Sequence, residues 1–409
     1  MEISDVEALR SAAGVAALSG AATQGDPLAS ATRLRAAGHD PHLVSLALTQ
    51  QRLRRSAAVK LGSDAAVMLF TDDAVEQATR SSVAGRRASR LARSGARRVV
   101  DLGCGAGSDL IALARAGLDV TGVERDPVTA AVAAANVAAL GFADRARVIC
   151  ADATSVELDG YDAAFLDPAR RAGGRRVFDP DAYSPPWSFL LSVAARIPRT
   201  VVKVAPGLDH DRIPPGAEAE WVSERGDVLE AALWFGPLAE SPRRATLLSG
   251  ASSPAASGAG GAPAAGEITG SGEREASVGE IGDYVYDPDG AVIRAHLVAE
   301  LADRIEGRLL DPAIAYLTTD SPHTTPFARG YRVEDVLPFG VKRLRAELAR
   351  RGVGRLEIKK RGTAVTPEQL RPQLKLNGPN AATLVLTRVS GAPIALICSQ
   401  LTVSTNSFA

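Results

Sequence analysis

One segment gives the strongest indication of the fold, namely Arg97-Arg98-Val99-Val100-Asp101-Leu102-Gly103-Cys104-Gly105-Ala106-Gly107-Ser108-Asp109. A short apolar strand runs into three closely spaced glycines, and the run Leu110–Arg115 that follows favours a helix. Glycine is favoured where a chain turns tightly and its backbone must approach a ligand. The spacing is G-x-G-x-G and differs from the G-x-G-x-x-G that cradles a pyrophosphate at a helix N-terminus. Because Asp101 stands two positions before the first glycine, the pattern suits a ligand that carries an amino group and no phosphate.

Three further segments of the chain predict strands that end at or near a carboxylate, namely Glu124, Asp152 and Asp167. They follow the glycine-rich strand at β-α-β spacing. A carboxylate at the end of the second strand of a nucleotide-binding fold can accept both ribose hydroxyls, so we expect Glu124 to do this. The pattern predicts a doubly wound α/β domain. Another nucleotide-binding fold of this kind, such as a dehydrogenase, is the alternative.

The glycine-rich stretch resembles motif I of the class I S-adenosylmethionine (SAM)-dependent methyltransferases, and the later carboxylates are similar in order to those of this family. The resemblance implies a Rossmann-like, seven-stranded core that binds SAM and transfers its methyl group. It also implies that Asp152 faces the adenine amine. The expected cofactor-binding residues of this core are Asp101, Gly103, Cys104, Gly105, Gly107, Asp109, Glu124, Asp152 and Ala153.

The segment ahead of motif I carries a second resemblance. Phe70-Thr71 followed by a helix is similar to the segment that closes over the methionine end of SAM in the trimethylguanosine synthase group. Thr71 is a good N-cap for a helix predicted over residues 74–93. The resemblance implies that Thr71, Gln77 and Thr79 line the cofactor pocket. A capped helix with exposed polar residues is the alternative.

Asp167 and Pro168 are the catalytic candidates. Enzymes that methylate exocyclic base amines commonly carry [DNS]-P-P-[YFW] after the fourth strand, where the carboxylate or amide orients the target N–H and the aromatic ring stacks on the base. Methyl transfer needs little acid–base chemistry, because the sulfonium is already activated and alignment does most of the work. This chain has Asp167-Pro168-Ala169-Arg170, so the second proline and the aromatic residue are missing.

Two neighbouring features bear on the acceptor. Arginines cluster between positions 170 and 176 and suit a phosphate or a carboxylate. Ser184-Pro185-Pro186-Trp187 has the missing pattern but starts 17 positions after Asp167, so a loop is predicted there. Trp187 either stacks on the acceptor or packs against the edge of the sheet.

The length of 409 residues predicts two or three domains. Residues 249–280 are rich in Gly, Ala, Ser and Pro and predict a flexible linker. We expect a helical region over 1–95, the methyltransferase core over 96–248, and a second α/β unit over 281–409. In that unit, helices are predicted at 292–308, 333–337 and 342–351, and strands at 355–359, 383–387 and 394–398.

The second unit has a local surplus of positive charge. Residues 340–375 hold eleven Lys and Arg and three Glu, and such patches attract phosphate backbones. Ile358-Lys359-Lys360-Arg361-Gly362, with residues 325–331 upstream and 384–388 downstream, resembles the THUMP-like domain that follows methyltransferase domains in a bacterial family. True THUMP domains bind RNA, so the resemblance implies that Lys359, Lys360 and Arg361 bind RNA. A solvated helix surface is the alternative.

The overall composition argues against several classes of function. Lys and Arg (47) balance Asp and Glu (47), so no global field for nucleic acid exists. Three widely spaced cysteines show no metal-ligand pattern and fit a reducing cytoplasm. Neither a signal peptide nor a membrane span is predicted. The leading hypothesis is a SAM-dependent methyltransferase acting on a base nitrogen in tRNA or rRNA. The alternatives are a small-molecule or protein methyltransferase, and a SAM-binding or RNA-binding module with little catalysis.

Overall fold

The computed structural model describes residues 1–22, 26–169, 171–172, 175–176, 179–249 and 264–401. These residues form two compact units. The first comprises the described residues of Met1–Ala219, Glu230–Glu240 and Leu248–Pro263, and the second those of Glu220–Leu229, Ser241–Leu247 and Ala264–Ala409.

Helices make up the described chain ahead of the glycine-rich strand. They are α1 (Ile3–Arg10), α2 (Ala12–Ala21), α3 (Pro27–Ala36), α4 (Pro41–Leu61), α5 (Asp72–Gln77) and α6 (Ser81–Arg93). The start of α4 follows from local chemistry, because the Asp40 carboxylate accepts the amides of His42 and Leu43 while Pro41 occupies the first helical turn. The single helix predicted over 74–93 is wrong, since the backbone is extended at Ala78 and α6 begins only at Ser81.

Strands and helices then alternate through the first unit. The elements are β1 (Arg98–Leu102), α7 (Ser108–Arg115), β2 (Asp119–Glu124), α8 (Pro127–Ala139), β3 (Ala146–Cys150), β4 (Ala163–Leu166), β5 (Arg171–Ala172), β6 (Arg175–Arg176), α9 (Trp187–Arg196) and β7 (Arg199–Val204). Five parallel strands lie in the order β7-β4-β1-β2-β3. The doubly wound α/β prediction is confirmed, and the strand order reverses between β1 and β4, where such folds bind ligands.

The central strands are buried, as parallel strands covered by helices should be. Val99, Phe165 and Val201, one from each of β1, β4 and β7, are at most 1% exposed and share a core with Leu110 of α7 and Val137 of α8. This core fixes the carboxyl ends of the strands, which carry the candidate site.

The chain continues through β8 (Glu218–Glu224), β9 (Asp227–Trp234), β10 (Arg243–Leu248) and β11 (Ala264–Gly270). Residues 231–234 of β9 pair antiparallel with β7. Strand β11 lies inside the stretch for which the sequence predicts a flexible linker, and its Ile268 is fully buried. Residues 250–263 of that stretch lie outside the described residues.

The rest of the second unit is a mixed α/β layer. Its elements are β12 (Tyr284–Pro288), α10 (Gly290–Arg294), α11 (Val298–Arg304), β13 (Arg308–Asp311), β14 (Ile314–Thr319), β15 (Ala328–Pro338), α12 (Val341–Arg350), β16 (Val353–Lys360), α13 (Pro367–Leu374), β17 (Asn380–Val389) and β18 (Ala392–Gln400). The sheet order is β13-β14-β12-β15-β18-β17-β16. Leu344 and Leu348 of α12 and Leu370 of α13 belong to the core that includes Leu356 of β16.

The three strands predicted in this unit are confirmed within β16, β17 and β18, and the helix predicted over 342–351 is α12. The helix predicted over 333–337 is wrong, because these residues belong to β15. Their burial alternates along the strand, with Val333 and Leu337 half-buried and Val336 exposed. A pattern of apolar residues over only five positions is too short to distinguish the helix period from the strand period. The helix predicted over 292–308 is divided into α10 and α11 at His296, whose φ is +58°.

Candidate cofactor site and acceptor edge

The glycine-rich turn binds the neighbouring strand through its backbone. The amides of Gly103 and Cys104 both donate to the carbonyl of Val123, at 3.0 and 3.1 Å. Gly103 has a φ of +95°, and a Cβ placed there would lie 2.6 Å from the carbonyl oxygen of Asp167. Glycine is therefore required twice over, for its backbone angle and for the close approach of the chain that leaves β4.

Glu124 is connected to this turn. Its Oε2 accepts the amide of Gly105 at 3.1 Å, and its Oε1 accepts the amide of Asp126 at 2.9 Å. A carboxylate has about four acceptor positions, so Glu124 keeps capacity for further donors. A Cβ on Gly105 would meet nothing within 4 Å, so the turn borders open space. Gly107, with a φ of +93°, ends the turn as the N-cap of α7.

Asp101 is the buried charge of the site. It is fully buried, and neither carboxylate oxygen has a hydrogen-bond partner among the described residues. Burial raises the pKa of Asp101 well above its ordinary value, and the nearby Asp109 and Asp167 raise it further. A buried polar group without a partner is costly. A cationic group of a ligand would remove this cost.

Cys104 acts as a small filler beneath the turn. It is 7% exposed, and a Cβ on Gly122 would lie 2.9 Å from its sulfur. Burial raises the pKa of the thiol well above its ordinary value, so the thiol is protonated at neutral pH. The residue shapes the turn and is no thiolate nucleophile.

Asp152 and Ala153 follow β3, the strand that pairs with β2. The exposed Asp152 caps a short 3-10 turn, and its Oδ1 accepts the amide of Thr154 at 2.8 Å and the Oγ1 hydroxyl of Thr154 at 2.6 Å. These hydrogen bonds lower the pKa of Asp152. Ala153 is half-buried. Both residues lie at the carboxyl side of the sheet beyond Glu124, where the sequence predicts the adenine.

The segment ahead of motif I is fixed by two side-chain amides that the sequence did not single out. The buried Asn136 of α8 accepts the amide of Leu69 at 2.6 Å and donates to the carbonyls of Leu69 and Ala106, both at 3.0 Å. Gln50 of α4 exchanges hydrogen bonds with Phe70 in the same manner, at 2.9 and 2.8 Å. Asn136 thus joins this segment directly to the glycine-rich turn.

The three polar residues predicted to line the pocket from this segment have different environments. Thr71 is the N-cap of α5, and its Oγ1 accepts the amide of Ala74 at 3.1 Å. Gln77 is exposed at the end of α5. Thr79 is buried between α5 and α6, and its hydroxyl oxygen accepts a hydrogen bond from Lys203.

Lys203 of β7 meets Asp167 at the acceptor edge. Its Nζ lies 2.7 Å from Oδ2 of Asp167 and 2.9 Å from Oγ1 of Thr79. Pro168, the next residue, is buried. The side chain of Lys203 is 7% exposed and that of Asp167 is 25% exposed, so the carboxylate remains accessible to a substrate.

A buried ion network lies behind this pair. Arg87 of α6 pairs with both Asp109 and Glu230, and its guanidinium lies 4.3 Å above the ring of Phe165. Burial opposes the charge, but the two carboxylates outweigh it and raise the pKa of Arg87. Asp109, expected at the cofactor, is thus bound to Arg87. The sequence also suggests that arginines of residues 80–98 add to an RNA-facing surface, yet Arg87 and Arg90 are buried in ion pairs.

The Ser-Pro-Pro-Trp stretch lies beside the acceptor edge. The backbones of Ala169 and Ser184 exchange two hydrogen bonds, at 2.8 and 3.1 Å. Trp187 begins α9 and is 7% exposed, so its side chain is buried within the unit. The side chains of the arginine cluster over 170–176 lie outside the described residues.

The three basic residues at the end of β16 differ in their partners. Lys359 pairs with Glu357 at 3.0 Å, and Arg361 pairs with Asp287 at 2.7 Å. Lys360 is exposed and makes no ion pair among the described residues.

Helix α12 presents further cations. Its Lys342, Arg343 and Arg345 are exposed and without ion pairs in the described part of the chain. In contrast, Glu347 pairs with both Arg350 and Arg351 and has its pKa lowered to about 2 by these hydrogen bonds. Within residues 340–375, the exposed cations without an ion pair among the described residues are Lys342, Arg343, Arg345, Arg355, Lys360, Arg371 and Lys375.

Models of known protein families match three parts of the chain. A methyltransferase domain matches residues 99–168, a THUMP domain-like model matches 328–400, and a domain of unknown function (DUF8688) matches 2–57. The first covers the glycine-rich turn and Asp167, and the second covers α12 and the basic end of β16. No helix in the described ranges is long and apolar enough to cross a membrane.

Known proteins resemble the chain over different lengths. A 23S rRNA (uracil(1939)-C(5))-methyltransferase of Acidithiobacillus ferrooxidans is 34% identical over 120 residues, which cover 28% of this chain and 26% of that protein. A crystal structure from Porphyromonas gingivalis W83, assigned as a methyltransferase, has a TM-score of 0.72 at 21% identity and covers 89% of this chain and 92% of its own, which shows a shared fold.

A similarity over most of the chain is to an uncharacterized SAM-dependent methyltransferase of Mycobacterium tuberculosis strain H37Rv, which is 37% identical over 386 residues. The match covers 90% of this chain and 98% of the relative. With the glycine-rich turn, the unpaired Asp101 and both domain matches in place, the chain belongs to the family of SAM-dependent methyltransferases that carry a C-terminal THUMP-like domain.

Proposed function

We propose that this chain methylates a nitrogen of a base in RNA, with tRNA or rRNA as the substrate. The observation that carries the proposal is the geometry of Asp167. Lys203 engages Oδ2 of its carboxylate, while Oδ1 has no partner among the described residues and the side chain is 25% exposed. A free carboxylate oxygen beside the glycine-rich turn is suited to accept a hydrogen bond from the N–H of an acceptor.

The residues of the turn fit the family's cofactor. Asp101 offers an unpaired carboxylate for the ammonium of SAM, Glu124 has spare acceptor positions for ribose hydroxyls, and Gly105 borders open space. SAM supplies an activated methyl group on its sulfonium, so the protein needs no strong base. What Asp167 contributes is alignment of the acceptor lone pair with that methyl group.

A nitrogen acceptor is favoured over a carbon acceptor by the cysteines. A ring carbon such as C5 of uracil needs a nucleophile, commonly a thiolate, to activate it. Cys104 is buried with a raised pKa, and the sulfur of Cys150 lies against the carbonyl of Arg125. Cys398 is buried in β18 of the second unit. Among the described residues, none of the three cysteines contacts Asp167.

RNA as the substrate class is supported by the second unit. Lys342, Arg343 and Arg345 are exposed on α12, and Lys360 is exposed at the end of β16, the strand that follows α12 in the chain. Lys359 and Arg361 remain proposed contacts to RNA phosphates. Each would have to leave its carboxylate partner, Glu357 or Asp287, to bind a phosphate. The match to the rRNA methyltransferase of Acidithiobacillus ferrooxidans points to the same substrate class.

Transfer of tritium from methyl-labelled SAM tests the proposal. RNA, protein and small-molecule fractions from a strain that lacks this protein are incubated with the purified full chain. We expect label in RNA and, after nuclease digestion, in a base methylated on nitrogen. Label in protein or metabolites supports the alternative substrates. SAM binding without label in any fraction supports a binding module.

Asp167→Ala provides the decisive comparison. We expect SAM affinity to stay within about threefold and turnover to fall by about a hundredfold or more, because orientation is lost and binding is not. Asp159→Ala, which removes an exposed carboxylate from the loop before β4, is the control and should retain turnover. Near-normal turnover of Asp167→Ala would contradict this role.

A further inference from the structure

Lys203 is a buried lysine whose position at the acceptor edge the family resemblance did not indicate. It is the penultimate residue of β7, and its ammonium donates to Oδ2 of Asp167 and to Oγ1 of Thr79. These three residues come from three separate parts of the chain, and no local pattern of sequence joins them.

The charge state of Lys203 excludes one role. Burial opposes the positive charge, but Asp167 first, then Glu230 and Asp109, outweigh burial and raise the pKa of Lys203. A lysine that takes part in acid–base catalysis at neutral pH needs a lowered pKa. Lys203 therefore stays an ammonium at neutral pH and acts through its charge and its hydrogen bonds.

We infer that Lys203 is a positioning residue that turns the free oxygen of Asp167 toward the acceptor, and that Thr79 fixes the ammonium in place. The inference rests on the role proposed above for Asp167. It adds a second and a third residue to the acceptor edge, from β7 and from the segment between α5 and α6.

The surroundings of Asp167 explain why a cation is needed there. Asp101 of β1, Asp109 of α7 and Glu230 of β9 supply three further carboxyl groups, and Arg87 is committed to two of them. Like charges repel, and an adjacent ammonium offsets that repulsion. Among the described residues, Lys203 is the cation that contacts Asp167. The side chains of the arginines over 170–176 lie outside those residues.

A fixed ammonium also settles the orientation of the carboxylate. With Oδ2 bound at 2.7 Å, Oδ1 is the oxygen left for an acceptor N–H. Thr79 prevents the lysine from adopting other rotamers, because its Oγ1 accepts a second hydrogen bond at 2.9 Å from the same Nζ. Loss of either partner frees the carboxylate to rotate.

The variants Lys203→Met, Lys203→Arg, Thr79→Val and Thr79→Ser test the inference in the full chain. For Lys203→Met we expect turnover to fall by about a hundredfold, while the KM for SAM is kept. Lys203→Arg keeps a charged donor for Asp167 and should recover part of the lost turnover. Thr79→Val should lower kcat while the KM for SAM is kept, and Thr79→Ser should retain activity.

Lys60→Met is the matched control. Lys60 belongs to the same unit, and its ammonium donates to the backbone carbonyls of Val75 and Glu76 without contacting Asp167. Lys60 interacts electrostatically with Lys203, so Lys60→Met tests whether loss of a nearby charge is enough to lower activity. We expect its turnover to stay close to that of the parent protein. Near-normal turnover of Lys203→Met, or an equal loss in Lys60→Met, would overturn the inference.

A second measurement does not depend on the substrate. A double-mutant cycle with Lys203→Met and Asp167→Asn compares the shifts in melting temperature of the single and double variants. Coupling of the two substitutions supports the contact, and additive shifts overturn it. If no fraction accepts the methyl group yet the cycle shows coupling, the proposed substrate fails while the pairing of Lys203 with Asp167 stands.

Discussion

Gly103 lies directly against Asp167, so that a Cβ on the glycine would come within 2.6 Å of the aspartate's carbonyl oxygen. The turn that we propose binds the cofactor and the residue that we propose positions the acceptor are thus in backbone contact. This contact joins the ends of β1 and β4 at the point where the strand order reverses.

The substitution Gly103→Ala should damage both functions. The added methyl group requires the chain after β4 to move, and a φ of +95° is strained for alanine. We expect the free energy of unfolding to fall by roughly 1–3 kcal/mol, with loss of SAM affinity in calorimetry and loss of turnover. Gly95→Ala is the control, because Gly95 has a similar φ of +84° and nothing within 4 Å of a Cβ. Equal effects of the two substitutions would show that the contact with Asp167 is unimportant.

Glu124→Ala should weaken SAM binding by about 1–3 kcal/mol, the scale of losing a hydrogen-bond partner of a charged group. The variant also frees the amide of Gly105, which Glu124 holds at 3.1 Å. Calorimetry measures the affinity, and Glu124→Gln separates the effects because its amide oxygen can still accept one donor. Unchanged affinity for SAM in Glu124→Ala, or tighter binding of NAD than of SAM by the parent protein, would contradict the assignment.

Asp101 should make SAM binding depend on pH. Burial raises its pKa in the free protein, so Asp101 stabilises the fold below its unfolded pKa and loses this contribution as pH rises through the folded value. A ligand ammonium favours the ionised form. We therefore expect SAM binding to release protons, seen as a calorimetric enthalpy that varies with the ionisation enthalpy of the buffer.

Asp101→Asn is the matching control for this measurement. Asparagine cannot lose a proton, so the dependence on buffer should disappear while the buried site keeps its shape. Proton release that persists in Asp101→Asn would assign the linkage to another group, such as Glu230, whose pKa burial also raises.

Asn136→Ala should loosen the segment ahead of motif I. It leaves the amide and carbonyl of Leu69 and the carbonyl of Ala106 without this partner, and each buried group left unsatisfied costs about 1–3 kcal/mol. We expect a lower melting temperature and weaker SAM binding. Asn377→Ala, at an exposed position, is the control. If the melting temperature falls while SAM affinity is unchanged, this segment does not contribute to cofactor binding.

The sequence predicted the parts of the site whose signals are local. The glycine spacing and the carboxylates Glu124 and Asp167 stand at strand ends that hydrophobic patterns mark. Lys203, in contrast, lies 36 positions from Asp167 and 124 from Thr79, and Asn136 lies 67 from Leu69. Such partners are set by tertiary packing, which a single sequence does not encode locally. The break between α5 and α6 was missed for a similar reason, since residues 78–80 contain neither glycine nor proline.

The basic residues of the second unit should bind RNA, and the structure ranks them. Lys342, Arg343 and Arg345 are free of ion pairs among the described residues, as is Lys360, while Arg361 is held by Asp287 and lies 5.5 Å above the ring of Tyr316. A Lys342/Arg343/Arg345→Ala triple variant should lower RNA affinity at low salt. The slope of log affinity against log salt should shrink by about two to three units, close to one for each lost phosphate contact.

A Lys359/Lys360/Arg361→Ala variant is to be compared with the Lys342/Arg343/Arg345→Ala variant of α12. Arg361→Ala leaves Asp287 without its cation, so this triple variant should lose stability together with RNA affinity, whereas the α12 variant should lose affinity alone. SAM binding should be intact in the α12 variant, because the cofactor residues belong to the first unit. Arg350→Ala is the control, since Glu347 already pairs with Arg350 and the salt slope should not change. If the unaltered chain binds no RNA at low salt, the RNA proposal fails and a small-molecule or protein acceptor replaces it.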